Sequence, residues 1–263
     1  MAAGDRPYYQ VATLGKGLDV LELVARRGPL SVSEAARRLG LNRASAHRFL
    51  ATLRQWGYLR QDAGGLYGLS SKLLELGRRA AARPEVTRLA RPHLLELARL
   101  FQETVNLGVW DHGEVLHVDK IDSPEILRTD QPVGGRAPAY CTALGKALLA
   151  CLPAAELEAY LAGVELRPLT PKTMTSPEGL RREIQRCRRR GWAADHEELV
   201  AGLRCVGAAA RDHRGAPVCA ISISGPAVRM TRQRMQRMQA EVARAAGELS
   251  RAMGAPETQD ART

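Results

Sequence analysis

Leu30-Ser31-Val32-Ser33-Glu34-Ala35-Ala36-Arg37-Arg38-Leu39-Gly40-Leu41-Asn42-Arg43-Ala44-Ser45-Ala46-His47-Arg48-Phe49-Leu50 decides how the first third of the chain reads. Ser31 and Glu34 have the spacing of a capping box, in which the serine oxygen accepts from a free backbone N–H and the glutamate reaches back. The helix opened there spans 32–39 and stops at Gly40. Asn42 is a good cap for the next helix, expected over 43–56. Ala46, Phe49, Leu50 and Leu53 fall at i, i+3, i+4 and i+7 and share its apolar face. Arg43, Ser45, His47, Arg48 and Arg54 occupy the other face. Two helices joined by a short glycine turn, the second basic and polar outside, form the helix-turn-helix pattern.

Working outward, Leu14, Leu18, Leu21 and Val24/Ala25 recur at helical spacing and mark an amphipathic helix over 14–27, stopped by Gly28-Pro29. Downstream, Tyr58–Gln61 and Leu66–Leu69 alternate like strands around Asp62-Ala63-Gly64-Gly65, a hairpin loop. Three helices and a hairpin make a winged helix. Residues 1–80 carry 13 basic and 6 acidic residues, against 39 and 28 in the whole chain, so most of the net charge of +11 sits there. Such an excess favours a polyanionic partner, double-stranded DNA first. Arg43, Ser45 and His47, near the start of the recognition helix, are candidates for base edges. Lys16, Arg48, Arg54 and Arg60 are candidates for phosphates, and Ser31 and Asn42 at the helix N-termini complete the set.

The chain has 263 residues, 45% of them hydrophobic and only 4% aromatic. That suffices for one small and one medium domain. No apolar run approaches a membrane span, and Asp5 and Pro7 stand where a signal peptide would be apolar. The five cysteines are odd in number and lack a Cys-x-x-Cys pair, so a reduced, cytoplasmic protein without a metal or other cofactor is expected.

Residues 73–85 read as a helical linker. Beyond it come an amphipathic helix over 85–103 and strands over 104–110 and 115–121 around an Asp111–Glu114 turn. A third strand is expected near Ile126–Arg128. Helices follow over 142–152, 154–161 and, opened by Ser176-Pro177, over 177–190. Strands over 205–211 and 218–224 flank Asp212–Gly215. A last helix over 230–253 has a methionine-lined face that suits either core or interface. Strands mixed with flanking helices, without a βαβ series, indicate an α+β domain with a mostly antiparallel sheet. The expected layout is a winged helix over 1–72, the linker, an effector-binding and oligomerisation domain over 86–254, and a flexible tail over 255–263.

Gly15-Lys16-Gly17-Leu18-Asp19-Val20-Leu21-Glu22, the quoted helix-turn-helix and Leu66-Tyr67-Gly68-Leu69 together resemble the DNA-binding half of IclR-family transcriptional regulators. Tyr140-Cys141-Thr142-Ala143-Leu144-Gly145-Lys146 is similar to that family's loop-to-helix signature. Arg190-Gly191-Trp192 through Cys205 is similar to its ligand-pocket segment, and Ala220-Ile221-Ser222-Ile223-Ser224-Gly225-Pro226 to its last core strand. The resemblance covers residues 10–250. It implies a GAF/profilin-like effector-binding domain and assembly as a homodimer or homotetramer.

Carried over by position, the resemblance puts the effector on Ala143, Leu144, Asp195, Leu203, Cys205, Ser222 and Ser224. Gly145 lies nearby, and Ile126 and Ala137 form apolar walls. The residue types suit an oxygen-rich small organic acid. Backbone N–H groups at the helix opened by Thr142 suit a carboxylate. Ser222 and Ser224, two apart on a strand, point to one face. Asp195 can accept from a hydroxyl. One departure is His196, where the family usually carries a second acid.

Catalytic patterns fail. His196-Glu197-Glu198 lacks the second histidine of a zinc-protease helix, Ala220–Ser224 is no nucleophile elbow, and a Cys205–His196 pair has no third orienting group. His112, His117 and Asp119 read as exposed loop residues rather than metal ligands. The expected function is a transcriptional regulator, not an enzyme, that binds a near-palindromic operator and answers to a small organic acid. The alternative is an architectural DNA-binding protein whose second domain only oligomerises.

Overall fold

A computed structural model describes residues 11–255 except Leu74 and residues 77–83. The chain divides into two compact units at Ala82/Arg83. Among the described residues, no helix is long and apolar enough to cross a membrane.

The first unit packs helices α1 (Ala12–Arg27), α2 (Val32–Leu39) and α3 (Arg43–Gln55) with a hairpin of β1 (Leu59–Gln61) and β2 (Tyr67–Leu69). Ser31 Oγ accepts from Glu34 N at 3.2 Å and Asn42 Oδ1 from Ser45 N at 2.7 Å, but the expected return of the Glu34 side chain is not made: its Oε1 accepts from Arg38 Nε at 3.0 Å instead. Gly40 takes the left-handed conformation (φ 62°) that turns α2 into α3, a backbone shape that costs glycine little. Leu30 pairs with Tyr67 through a single β-bridge that ties the start of α2 to the wing.

The core of this unit is Val20, Leu23, Val24, Leu30, Ala35, Ala36, Ala46, Leu50, Leu59 and Tyr67. Here the reading of α1 needs correction. Of its stripe Leu14, Leu18, Leu21 and Val24/Ala25, Val24 is buried and Leu21 packs on the core, but Leu14 is 63% and Leu18 51% exposed, and Val20 and Leu23 are buried in their place. The helix is apolar on two sides, and periodicity alone does not choose between them. Of the expected linker helix over 73–85, residues 73, 75, 76, 84 and 85 are helical; 74 and 77–83 lie outside the described residues, as do 256–263 of the expected tail.

The second unit is built on a six-stranded antiparallel sheet in the order β5-β4-β3-β8-β7-β6. Its strands are β3 (Thr104–Asp111), β4 (Glu114–Ile121), β5 (Arg136–Pro138), β6 (Ala193–His196), β7 (Leu203–Arg211) and β8 (Pro217–Pro226). Residues 126–128, expected as the third strand, are a loop; that strand is Arg136–Pro138. Isolated apolar residues between prolines and charges do not establish a strand. Ile126, expected as an apolar wall, is instead 98% exposed.

The two sheet faces differ. One carries Val105, Leu107, Val206, Ala208, Ile221 and Ile223 and packs against α4 (Pro84–Phe101) and α8 (Arg232–Ala252). The methionine-lined side of α8 is therefore core, with Met235 and Met238 buried. The other face packs against α5 (Ala143–Leu149), with α6 (Ala154–Gly163) and α7 (Pro177–Arg190) in the same cluster. Gly145 lets α5 approach closely: a Cβ there would collide with the backbone of Ala139.

Candidate functional site

In the first unit, Asn42, Arg43, His47, Arg48 and Arg54 are exposed along α3, and Lys16 and Arg60 are exposed on α1 and the wing. Ser31 and Ser45 are half-buried. Arg54 is tied to the wing, its Nη1 donating to Gln61 Oε1 at 2.5 Å. Ser31 and Asn42 already use their side-chain oxygens as caps.

In the second unit, a cavity of about 410 Å³ opens over the polar end of the sheet. Antiparallel register explains its floor, because residues directly opposite each other share a face. Asp195 pairs with Cys205, Cys205 with Ser224, and Ser224 with Thr104; one row along, Ser222 pairs with Asn106. Asp195, Cys205, Ser222, Ser224 and Asn106 all line the cavity, and each is buried. Ala143 and Leu144 approach from the start of α5. Thr142 Oγ1 accepts from Gly145 N at 3.1 Å. The first-turn N–H groups of Ala143 and Leu144 have no acceptor within the helix. Ala137, Leu203 and the loops 127–131 and 199–202 complete the walls.

Eight of the ten expected residues therefore meet at one cavity. Gly145 is not among the lining residues and serves the packing of α5. Ile126 is not among them either; its neighbour Leu127 is. Asn106 and His117 were missed. His117, read as an exposed loop residue, is 7% exposed and lines the cavity. Among the described residues, no group of three or more possible ligands is placed to hold a metal. The signal for Asn106 lay in Thr104-Val105-Asn106-Leu107-Gly108, which alternates as Ser222 and Ser224 do.

On the α5 side of the sheet, Lys146 Nζ donates to Glu198 Oε1 at 2.5 Å, and Glu198 N donates to Asp195 Oδ1 at 2.6 Å. Burial pushes the Asp195 carboxyl up to about 7, with the nearby Glu198 charge adding to it and the Glu198 N–H and Lys146 opposing it. Burial, helped by Lys120, pulls His117 down to about 4, so its ring is neutral near pH 7. Burial also raises the Cys205 thiol, the charge of Asp195 adding to it. That is the opposite of an activated nucleophile.

Residues 78–251 match the family described as bacterial transcriptional regulator IclR C-terminal, and residues 13–63 match the IclR helix-turn-helix domain. The chain belongs to the IclR family. IclR-family relatives match along nearly the whole length. The HTH-type transcriptional regulator KdgR of Escherichia coli K12 is 34% identical over 95% of each chain. The transcriptional repressor IclR of the same organism is 33% identical over 93% of this chain and 91% of its own. The crystal structure of Thermotoga maritima IclR superposes with a TM-score of 0.82 at 33% identity, covering 93% of this chain and all of that one. An IclR homologue from Microbacterium hydrocarbonoxydans, crystallised with 4-hydroxybenzoate, gives 0.78 at 26% identity, covering 91% and 99%. The protein is thus an IclR-family transcriptional regulator with a helix-turn-helix and an effector-binding C-terminal domain, and its curated relatives are regulators rather than enzymes.

Proposed function

We propose that this regulator binds a near-palindromic operator as a dimer or dimer of dimers, and that a small organic acid in the sheet cavity changes its affinity for that operator. The observation that carries this reading is the meeting of Asp195, Cys205, Ser222 and Ser224 from three strands in one buried cavity beneath Ala143 and Leu144. Serine hydroxyls and first-turn N–H groups are donors suited to a carboxylate. The complex of a relative with 4-hydroxybenzoate is consistent with an acid. On the DNA side, Arg43, Ser45 and His47 are assigned to base edges and Lys16, Arg48 and Arg60 to phosphates. Arg54, Ser31 and Asn42 fall to supporting roles, since each is engaged within the head.

Effector and operator are coupled by a free energy on the order of 1–3 kcal/mol, and the coupling is reciprocal. The test is selection of bound fragments from a genomic DNA library, followed by sequencing. A few sites sharing one imperfect palindrome support the reading, and an acid drawn from the chemistry encoded beside them is then titrated with and without operator. Equal acid affinity in both titrations refutes the coupling. Broad, salt-sensitive recovery without a shared motif refutes sequence-specific reading and favours an architectural role.

A further inference from the structure

The arginines of the second unit divide into two sets. Arg91, Arg136, Arg181, Arg204, Arg229 and Arg244 each meet a carboxylate. Arg188, Arg189, Arg211, Arg214 and Arg251 are exposed and meet none among the described residues. Packing gathers these five at one end of the sheet. Arg188 Nε donates to Ala150 O at 2.9 Å and its Nη2 to Leu152 O at 2.6 Å. Between those two carbonyls lies Cys151, which shares a small recess with Arg211 and with Gly191, the residue that ends α7. Arg211 N donates to Ser250 Oγ at 3.0 Å, one residue before Arg251. Arg214 stands in the turn between β7 and β8. The acid on that turn, Asp212, is already engaged: its Oδ1 accepts from Arg214 N at 2.9 Å and from Ala216 N at 3.0 Å.

This end is not the cavity end. Cys205 and Arg211 are six residues apart on β7, about 20 Å along an extended strand. Helix pairing places the cluster further. Helices α4 and α8 run antiparallel: Phe101 O accepts from Arg234, Glu96 Oε1 accepts from Arg244 Nη2 at 2.9 Å, and Glu248 faces His93 at 3.6 Å. Arg251 therefore falls beside the N-terminal half of α4, at the end where the chain enters this unit at Pro84.

Charge isolates the cluster as well. Residues 81–263 carry 26 basic and 22 acidic residues, and the five arginines less Asp212 account for the whole excess. The remainder of this half is balanced. Residues 256–263 contain Glu257 and Asp260 against Arg262, too little to neutralise the five. Like charges held together repel, and a polyanion relieves the repulsion. The guanidinium fork matches phosphate oxygens two at a time. The same chain carries a helix-turn-helix that brings it to DNA. We infer that this basic end of the second unit is a further DNA-contacting surface, which holds duplex phosphates without reading sequence and adds to the grip of the head.

Binding of the full chain to a mixed-sequence duplex several helical turns long, titrated across salt concentrations, tests this. The triple variant Arg189→Gln, Arg214→Gln, Arg251→Gln should bind more weakly and flatten the slope of log K against log salt by up to about 2.7, at about 0.9 per phosphate released. Arg188 is left in place because it holds the backbone at 150 and 152. A control triple, Arg99→Gln, Arg232→Gln, Arg237→Gln, removes the same charge from exposed positions at the opposite ends of α4 and α8 and should keep the parent slope. An unchanged slope in the first triple, or equal flattening in both, overturns the inference. Arginine modification by phenylglyoxal, read by mass spectrometry on the parent chain, needs no variant. Duplex should protect Arg189, Arg214 and Arg251. Equal modification with and without duplex overturns the inference, and so does protection before duplex is added, which would mean that another part of the chain covers the surface.

Discussion

Lys146 Nζ sits 2.5 Å from Glu198 Oε1, with the lysine side chain 1% and the glutamate side chain 7% exposed. This ion pair adjoins the cavity, because the Glu198 backbone N–H also holds the lining residue Asp195. Removing one partner strands a buried charge, which typically costs about 3–5 kcal/mol, whereas an apolar pair of similar volume is often tolerated. Lys146→Met should therefore lower the urea midpoint sharply, and the double variant Lys146→Met, Glu198→Leu should recover much of the loss. Additive losses would show that the pair is not coupled.

Asp195 and His117 shift in opposite directions and so oppose each other in the pH dependence of stability. The Asp195 carboxyl rises from 3.8 to about 7, so between those values the folded chain holds a proton that the unfolded chain has lost. Stability then falls as pH rises, by at most about 1.4 kcal/mol per pH unit. His117 drops from 6.5 to about 4; there the unfolded chain binds the extra proton and stability falls as pH falls. The two slopes offset each other between about pH 4 and 6.5. Urea midpoints against pH should show Asp195→Asn gaining stability with pH in that window and His117→Gln losing it. Parallel profiles for both variants would refute the assignment.

Gly145→Ala places a Cβ against the Ala139 backbone. Backbone cannot step aside as a side chain tip can, so a loss of about 3 kcal/mol in unfolding free energy is expected. A midpoint close to wild type would mean that α5 does not pack as described.

Ser222→Ala and Asp195→Ala should abolish the effector response while leaving operator affinity in the absence of acid near the parent value. Gel-shift titrations with and without the acid measure both quantities at once. A response that survives both substitutions would move the effector elsewhere.

Arg48 is exposed on α3 and has no ion-pair partner among the described residues. If it neutralises a phosphate, Arg48→Ala should weaken binding to operator and unrelated DNA alike, and should flatten the slope of log K against log salt by about 0.9 for each phosphate left un-neutralised. An unchanged slope would argue for a base-edge role instead.

The head was legible because its signals are local. Ser31/Glu34, Gly40 and Asn42 fix helix ends within a few residues of themselves, and the structure places those ends within one residue of expectation. The buried side of α1 was only partly legible: Val24 was read correctly, but Leu14 and Leu18 compete with Val20 and Leu23 and only the fold decides. The cavity was half legible. Ser222 and Ser224 announce a polar face by alternation, and so does Asn106, but nothing local says that β3 lies beside β8. His117 shares the buried side of β4 with Val115, two residues away, but nothing local says that this side faces the cavity.

Strand β8 alternates Ile221, Ser222, Ile223 and Ser224, with the serines in the cavity and the isoleucines in the core under α4 and α8. A strand is one residue thick, so its two sides cannot move independently. Under the proposed effector reading, a displacement of the serines by a bound acid is carried to the isoleucines and the helices resting on them. The sheet then behaves less like a wall of the binding site than like a drumhead, struck on one side and heard on the other.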